Sequence, residues 1–374
     1  MSADVYQKLA RHLDNLPGGF PTTESGVELR ILRRLFTPEQ ALLATKLTMI
    51  PERGAVVARR AGLAVAECAR RLDQMSDTGL IFSYRQGGHT YYMAAQFVIG
   101  IWEYHVNKLD PELIKDMREY VPSLFNMMAW QDAPQLRTIP VGRSLQAGQE
   151  VMAYEQAEAI VKGQKHILVA PCICRKEHAL MGQGCDKPEE ACLVFGTGVQ
   201  YYQKNGLGLV IDQEEALETL KQADKAGLVL QPSNTQKVIN ICCCCGCCCH
   251  VLKSIKRYPR PAEIVASSFV VQLDEHACTG CGICVGRCQM EALIQAGKKE
   301  KVALEAGRCI GCGLCVTTCP GKALTLKRKP QTRPVPRNVV ENYLSLGRAR
   351  GKMKPYQLAW MQLKSKMDRL LVKS

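Results

Sequence analysis

Four cysteines, Cys278, Cys281, Cys284 and Cys288, recur 31 residues later as Cys309, Cys312, Cys315 and Cys319, and nothing else in the chain restricts its folding as strongly. Gly280, Gly282, Ala292 and Leu293 recur with them as Gly311, Gly313, Ala323 and Leu324. A self-similar segment of this kind predicts two copies of one structural unit facing each other across residues Phe269 to Leu326.

Each copy reads Cys-x2-Cys-x2-Cys-x3-Cys, and Pro320 follows the last cysteine of the second. Three thiolates at this spacing wrap one iron–sulfur cubane, while the fourth reaches across to the other. The expected ligand sets are therefore Cys278, Cys281, Cys284 and Cys319 for the first 4Fe-4S cluster, and Cys309, Cys312, Cys315 and Cys288 for the second. Glycines inside the loops let backbone amides turn toward the sulfurs and stabilise the negative charge of a cluster. A pair of zinc sites is the rival reading, because Cys-x2-Cys also suits zinc. Zinc needs neither the third cysteine, nor the x3 step, nor the twofold repeat. The motifs CTGCGICVGRC and CIGCGLCVTTCP resemble the bacterial dicluster ferredoxins over about 60 residues. Gln289 departs from that family, which has Pro after the fourth cysteine of a repeat.

The 374 residues contain 20 cysteines, seven of them between Cys242 and Cys249. Neighbouring cysteines cannot easily pair with one another, and a secreted disulfide scaffold is normally much shorter, so metal ligation in a reducing compartment is expected. The start, MSADVYQKLARHLD, lacks a basic stretch followed by an apolar one, and no apolar run approaches the length of a membrane span. The expectation is a cytoplasmic protein without a transmembrane segment. The formal charge of +14 is concentrated at one end. From Lys327 onward there are 13 Lys or Arg against Glu341 and Asp368, a net of +11. Two clusters carrying roughly −2 each when oxidised would leave the body acidic and the tail its opposite.

Eleven cysteines lie between the repeat and the N-terminal part. Candidate metal ligands are Cys172, Cys174, Cys185, Cys192, Cys242, Cys244, Cys245, Cys247, Cys248 and Cys249. Ile167 to Ala170 and Val238 to Ile241 read as short buried strands that run into these clusters. The run ICCCCGCCCH is not a c-type haem site, because attachment needs Cys-x-x-Cys-His and Gly246 occupies the required position. Crowded thiolates around Gly246 suit a soft metal, and the open readings are an additional iron–sulfur cluster, a zinc ion, or an unmetallated thiol site. Cys244-Cys245-Gly246 is similar to the cysteine-rich domains of heterodisulfide-reductase type. APCICRKE, MGQGCDKPEEACLVFG and ICCCCGCCCHVL, followed by the two repeats, resemble a family of uncharacterised 4Fe-4S binding proteins of anaerobic bacteria and archaea over roughly residues 25 to 345. That resemblance implies anaerobic electron transfer. The family has Asn where Cys243 stands and Gly where His250 stands, which keeps both out of the essential set.

The remaining segments complete an α+β multidomain expectation. Residues 1–26 form an N-terminal segment. Residues 27–105 read as a winged helix-turn-helix: helices at Leu29 to Phe36, Pro38 to Leu47, Val56 to Ala61 and Ala64 to Ser76, then a hairpin about Gln86-Gly87-Gly88-His89. Residues 106–262 form a central cysteine-rich α/β domain, with a capping box at Asp212 and Glu215 opening a helix from Glu214 to Ala226. Residues 263–328 form the ferredoxin-like dicluster domain, and 329–374 a basic helical tail. Cys68 falls on an apolar helix side with Leu72 and Met75, as a packing residue does. The charged residues of the helix from Ala64 to Ser76, Glu67, Arg70, Arg71 and Asp73, sum to zero, so nucleic-acid binding is not expected and a protein contact or a homodimer through the winged helix is. Tyr356, Trp360, Leu363, Met367 and Leu370 place an apolar stripe on the last helix, expected to dock on the body or on a partner. The leading function is an electron relay between redox protein partners. The alternatives are a redox-sensing transcription factor and an enzyme acting at the central cysteines.

Overall fold

Short helices punctuated by caps, then a hairpin, build the first part of the chain in a computed structural model that describes residues 4–125, 127–145 and 149–372. The chain divides into two compact units, one made of residues 4–125, 200–207 and 343–372, the other of residues 127–145, 149–199 and 208–342.

The first unit begins with α1 (Val5–Asp14), α2 (Val27–Leu35) and α3 (Pro38–Ala44). Thr37 and Gln40 close a reciprocal capping box on α3. That helix stops at Ala44, short of the expected Leu47, where the Thr45 hydroxyl donates to the Leu42 carbonyl at 2.7 Å. A two-residue strand β1 (Glu52–Arg53), too short to show a period, precedes α4 (Gly54–Ala61) and α5 (Val65–Asp77). The hairpin β2 (Phe82–Gln86) and β3 (His89–Met93) pairs antiparallel, and β1 adds to its β3 side, giving the order β1-β3-β2. Gly87 and Gly88 make the two-residue turn at φ +57° and +77°, which only glycine adopts freely. Cys68 is fully buried on α5 with Leu72 and Met75, as its pattern predicts. A sixth helix, α6 (Pro111–Leu124), packs on α2 through Arg30 and Asp116.

The last helix, Pro355–Leu371, docks in this unit by its polar side. Arg60 is held between Glu52 at 2.5 Å and Asp368 at 2.6 Å, and the Ser365 hydroxyl also donates to Glu52. The apolar stripe therefore faces outward, with Trp360 66% and Leu370 76% exposed. The buried Glu52–Arg60 pair sets that rotation, because Ser365 and Asp368 on the polar side of the helix give it a further donor and a second carboxylate. Among the described residues no helix is long and apolar enough to cross a membrane.

The second unit holds a five-stranded sheet and the cysteine repeat. The sheet uses β4 (Ile167–Pro171), β5 (Glu190–Phe195), β6 (Leu209–Ile211), β7 (Val229–Pro232) and β8 (Asn240–Cys244) in the order β6-β4-β5-β8-β7. Every pairing is antiparallel, unlike the parallel sheet that alternating strands and helices lead one to expect. Asp212 and Glu215 form the expected capping box on α8 (Gln213–Lys225), and α7 (Ile173–Leu180) and α9 (His250–Lys256) each start beside a cysteine. Strand β8 begins two residues later than Val238 and continues through Cys244, because β5 and β7 pair with it on both sides and keep the cysteine run extended. In the repeat, β9 (Phe269–Leu273) pairs with β12 (Leu324–Arg328), β10 (Leu293–Ile294) with β11 (Ala303–Leu304), and α10 (Ile283–Arg287) lies between. Phe269, Val271, Leu293, Val302, Leu324 and Leu326 form the repeat's core, with Cys284, Cys309 and Cys315 at its edge.

Candidate metal centres

Backbone conformation repeats with the cysteines. Gly280, Gly282, Gly311 and Gly313 all take φ between +67° and +74°, and a side chain at Gly311 would collide with the Phe269 carbonyl. These turns aim amides at sulfur. The Cys278 thiol accepts N–H bonds from Val302 and Gly280, which lower its pKa, and Cys309 accepts the equivalent pair from Val271 and Gly311. The Ala292 N–H reaches Cys288 Sγ at 3.2 Å.

The eight thiols sort into two fours. Cys284 has Cys281, Cys319 and Cys278 as thiol neighbours, whereas Cys315 feels Cys312, Cys309 and Cys288 most strongly. Cys288, Cys309, Cys312 and Cys315 also line one cavity with Val271, Ile310 and Leu314. Burial pushes Cys284, Cys309 and Cys315 up and Cys312 to about 12, so without metal these thiols keep their protons. Apolar walls, inward amides and exchanged fourth cysteines fit two cubanes.

Residues 277–324 match the family model of the 4Fe-4S dicluster domain. This segment is a ferredoxin-like 4Fe-4S dicluster domain. It implies two 4Fe-4S clusters, which supply one-electron transfer when bound. Neither the curated proteins nor the solved structures give a match to the chain.

Around the dicluster domain, the central cysteines separate into two groups. Cys185, Cys245, Cys247 and Cys248 bring all four sulfurs within 4.8 Å of one another, with Cys248 at 3.7 Å from Cys185 and 3.8 Å from Cys247. A tetrahedral ion with metal–sulfur bonds of about 2.3 Å needs sulfur–sulfur edges of about 3.8 Å. This tetrathiolate therefore suits one Zn2+ or Fe2+ ion. Thiolates on the corners of a cubane stand farther apart, because iron and sulfide lie between them. Burial raises Cys245 to about 11, whereas hydrogen bonds from Cys245, Cys248 and Cys185 overcome burial to lower Cys247.

The other six make a row across the sheet. Cys172 lies at the end of β4 and Cys174 in the first turn of α7; these two thiols are neighbours, and Cys174 also neighbours Cys249, ahead of α9. Cys249 neighbours Cys244, and Cys244 neighbours Cys242. Cys242 faces Cys192 on β5 in register, with the sulfurs 3.9 Å apart. Cys243, one step along β8, alternates to the other face of the sheet. His250 serves the framework, bonding the buried Glu177 carboxylate at 2.5 Å and tying α9 to α7.

Two contributors escaped sequence reasoning. Arg175, only 3% exposed, donates to the Cys243 carbonyl at 3.1 Å and to Cys245 Sγ at 3.8 Å. Its place directly after Cys172-Ile-Cys174 was the available signal, as a buried guanidinium beside thiolates offsets their charge. Gln289, noted only as a departure from Pro, uses its side chain: Gly246 N–H donates to its Oε1 at 2.7 Å.

Proposed function

We propose that the protein is a cytoplasmic, low-potential one-electron relay in an anaerobic oxidoreductase system, exchanging electrons with partner redox proteins at the dicluster domain. The observation carrying this reading is the bond between Gly246 and Gln289. Through the Gln289 side chain it joins the residue after Cys288 to the loop that holds Cys245 and Cys247, so the path from Cys288 to the tetrathiolate runs through covalent bonds and crosses one hydrogen bond. With iron there, the tetrathiolate is the next carrier. With zinc, the loop braces the second cluster's surroundings. The chain contributes low-dielectric walls, inward amides and a path with a single hydrogen-bonded step.

The test is Gln289→Ala in anaerobically purified full chain. Electrons delivered to the dicluster domain and followed by rapid-freeze electron paramagnetic resonance should reach the central metal several-fold more slowly, with iron content unchanged. An unchanged rate, or a central metal that is zinc alone, removes the tetrathiolate from the relay.

A second reading draws on the three-stranded sheet β1-β3-β2 behind α4 and α5, the arrangement of a winged helix, and makes the chain a redox-sensing regulator. Within α5, however, Arg71 is taken by Glu67 at 2.5 Å, leaving little charge for phosphate. A protein contact, including a homodimer, is the favoured role of this unit.

A further inference from the structure

We propose that Cys172, Cys174, Cys192, Cys242, Cys244 and Cys249 hold a polynuclear iron–sulfide centre of their own, separate from the tetrathiolate, and that Arg175 donates to its bridging sulfides. The inference goes beyond the relay reading and does not depend on electrons reaching either central site.

Three observations converge. The first is ligand number: the row contains six connected thiols, and a single soft ion takes four. The second is spacing. Among the described residues the tetrathiolate is the one group of three or more thiols lying within 4.8 Å of one another. No three of the six meet that limit, so the row does not close around a single ion, whose thiolates must stand about 3.8 Å apart on every edge.

The third is an unsatisfied cation. Arg175 spends Nη1 on the Cys243 carbonyl and Cys245, while its Nε and Nη2 are buried without a hydrogen-bond partner. Cys172 and Cys244 of the row lie beside this guanidinium. A buried donor left unpaired costs about 1–3 kcal/mol, more on a charged group. A zinc–thiolate or copper–thiolate cluster brings no further acceptor, because its sulfurs are all cysteines. Inorganic sulfide does, and it adds negative charge next to a buried cation. Asn240 Nδ2, donating to Cys242 Sγ at 3.5 Å, gives the other end of the row an additional donor.

The experiment counts iron, zinc and acid-labile sulfide in anaerobically purified full chain. Two 4Fe-4S clusters account for about eight sulfides per chain, so the proposal expects an excess over that number. The double variant C192S/C242S should bring sulfide back to about eight, leaving the dicluster resonance signal and the single ion in place. Arg175→Met should lower the excess sulfide, and Arg175→Lys should restore part of it. C185S/C247S should remove one metal ion and no sulfide, which monitors the tetrathiolate independently. Wild-type protein with about eight sulfides overturns the proposal without any variant having to fold. So does native alkylation of the six thiols, or their recovery as disulfides, and none of these results touches the relay reading.

Discussion

Arg287, next to Cys288, is bound to Asp224 at the end of α8, with Nη2 at 3.0 Å from Oδ1. Asp224 is 6% exposed and also takes Arg143 at 2.6 Å and the Thr317 hydroxyl at 3.4 Å. One carboxylate thus ties both cysteine repeats to the sheet-bearing part of the same unit. Removing one partner of a buried ion pair leaves the other uncompensated, typically at about 3–5 kcal/mol. Asp224→Ala should lower the melting temperature of the loaded chain, and thermal unfolding followed at the cluster absorbance would measure it. Asp224→Asn, which keeps an acceptor, should lose less.

Exchange of the fourth cysteines predicts that Cys281→Ser and Cys312→Ser each remove one cluster. Iron from the dicluster domain should fall from about eight to about four in each. Iron analysis with low-temperature resonance checks this, because the two variants should retain different signals.

His12 reports on the first unit. Burial lowers its pKa to about 4, against a bond to the Leu47 carbonyl that raises it, and its Nε2 is buried without a partner. The unfolded chain takes up a proton near the ordinary value of 6.5, before the folded chain does. Stability from this residue is therefore complete above pH 6.5 and declines as pH falls toward 4, by no more than about 3 kcal/mol. His12→Gln should flatten the melting temperature between pH 6.5 and 4.5.

Duplex DNA provides a further check on the N-terminal unit. With Arg71 committed to Glu67, binding should be weak, independent of sequence and carried by the basic tail. Truncation after Lys327 should abolish it in a mobility-shift titration at low salt. A footprint at one sequence that survives truncation would favour the regulator.

The capping box at Asp212, the Gly87-Gly88 turn and the pseudo-repeat of Cys278 to Cys319 were legible in the sequence. Each depends on residues a few positions apart or on an exact displacement. The exposed stripe of the last helix was legible as a stripe but not in its direction, which followed from Glu52 and Arg60, some 300 residues away in the chain.

By itself, the sequence determined the residues of the dicluster domain and the presence of further thiols in the middle of the chain. The match there follows fixed local spacing, and loops with glycine at φ near +70° carry that spacing wherever the domain sits. Tertiary structure alone decided how the central thiols divide. Cys242 meets Cys192, and Cys248 meets Cys185, through strand register and loop return over 50 and 63 residues. Cys244 and Cys245 are consecutive yet belong to different groups, because β8 ends between them and the chain turns at Gly246. No local pattern encodes that division, because it depends on which distant strand each sulfur faces.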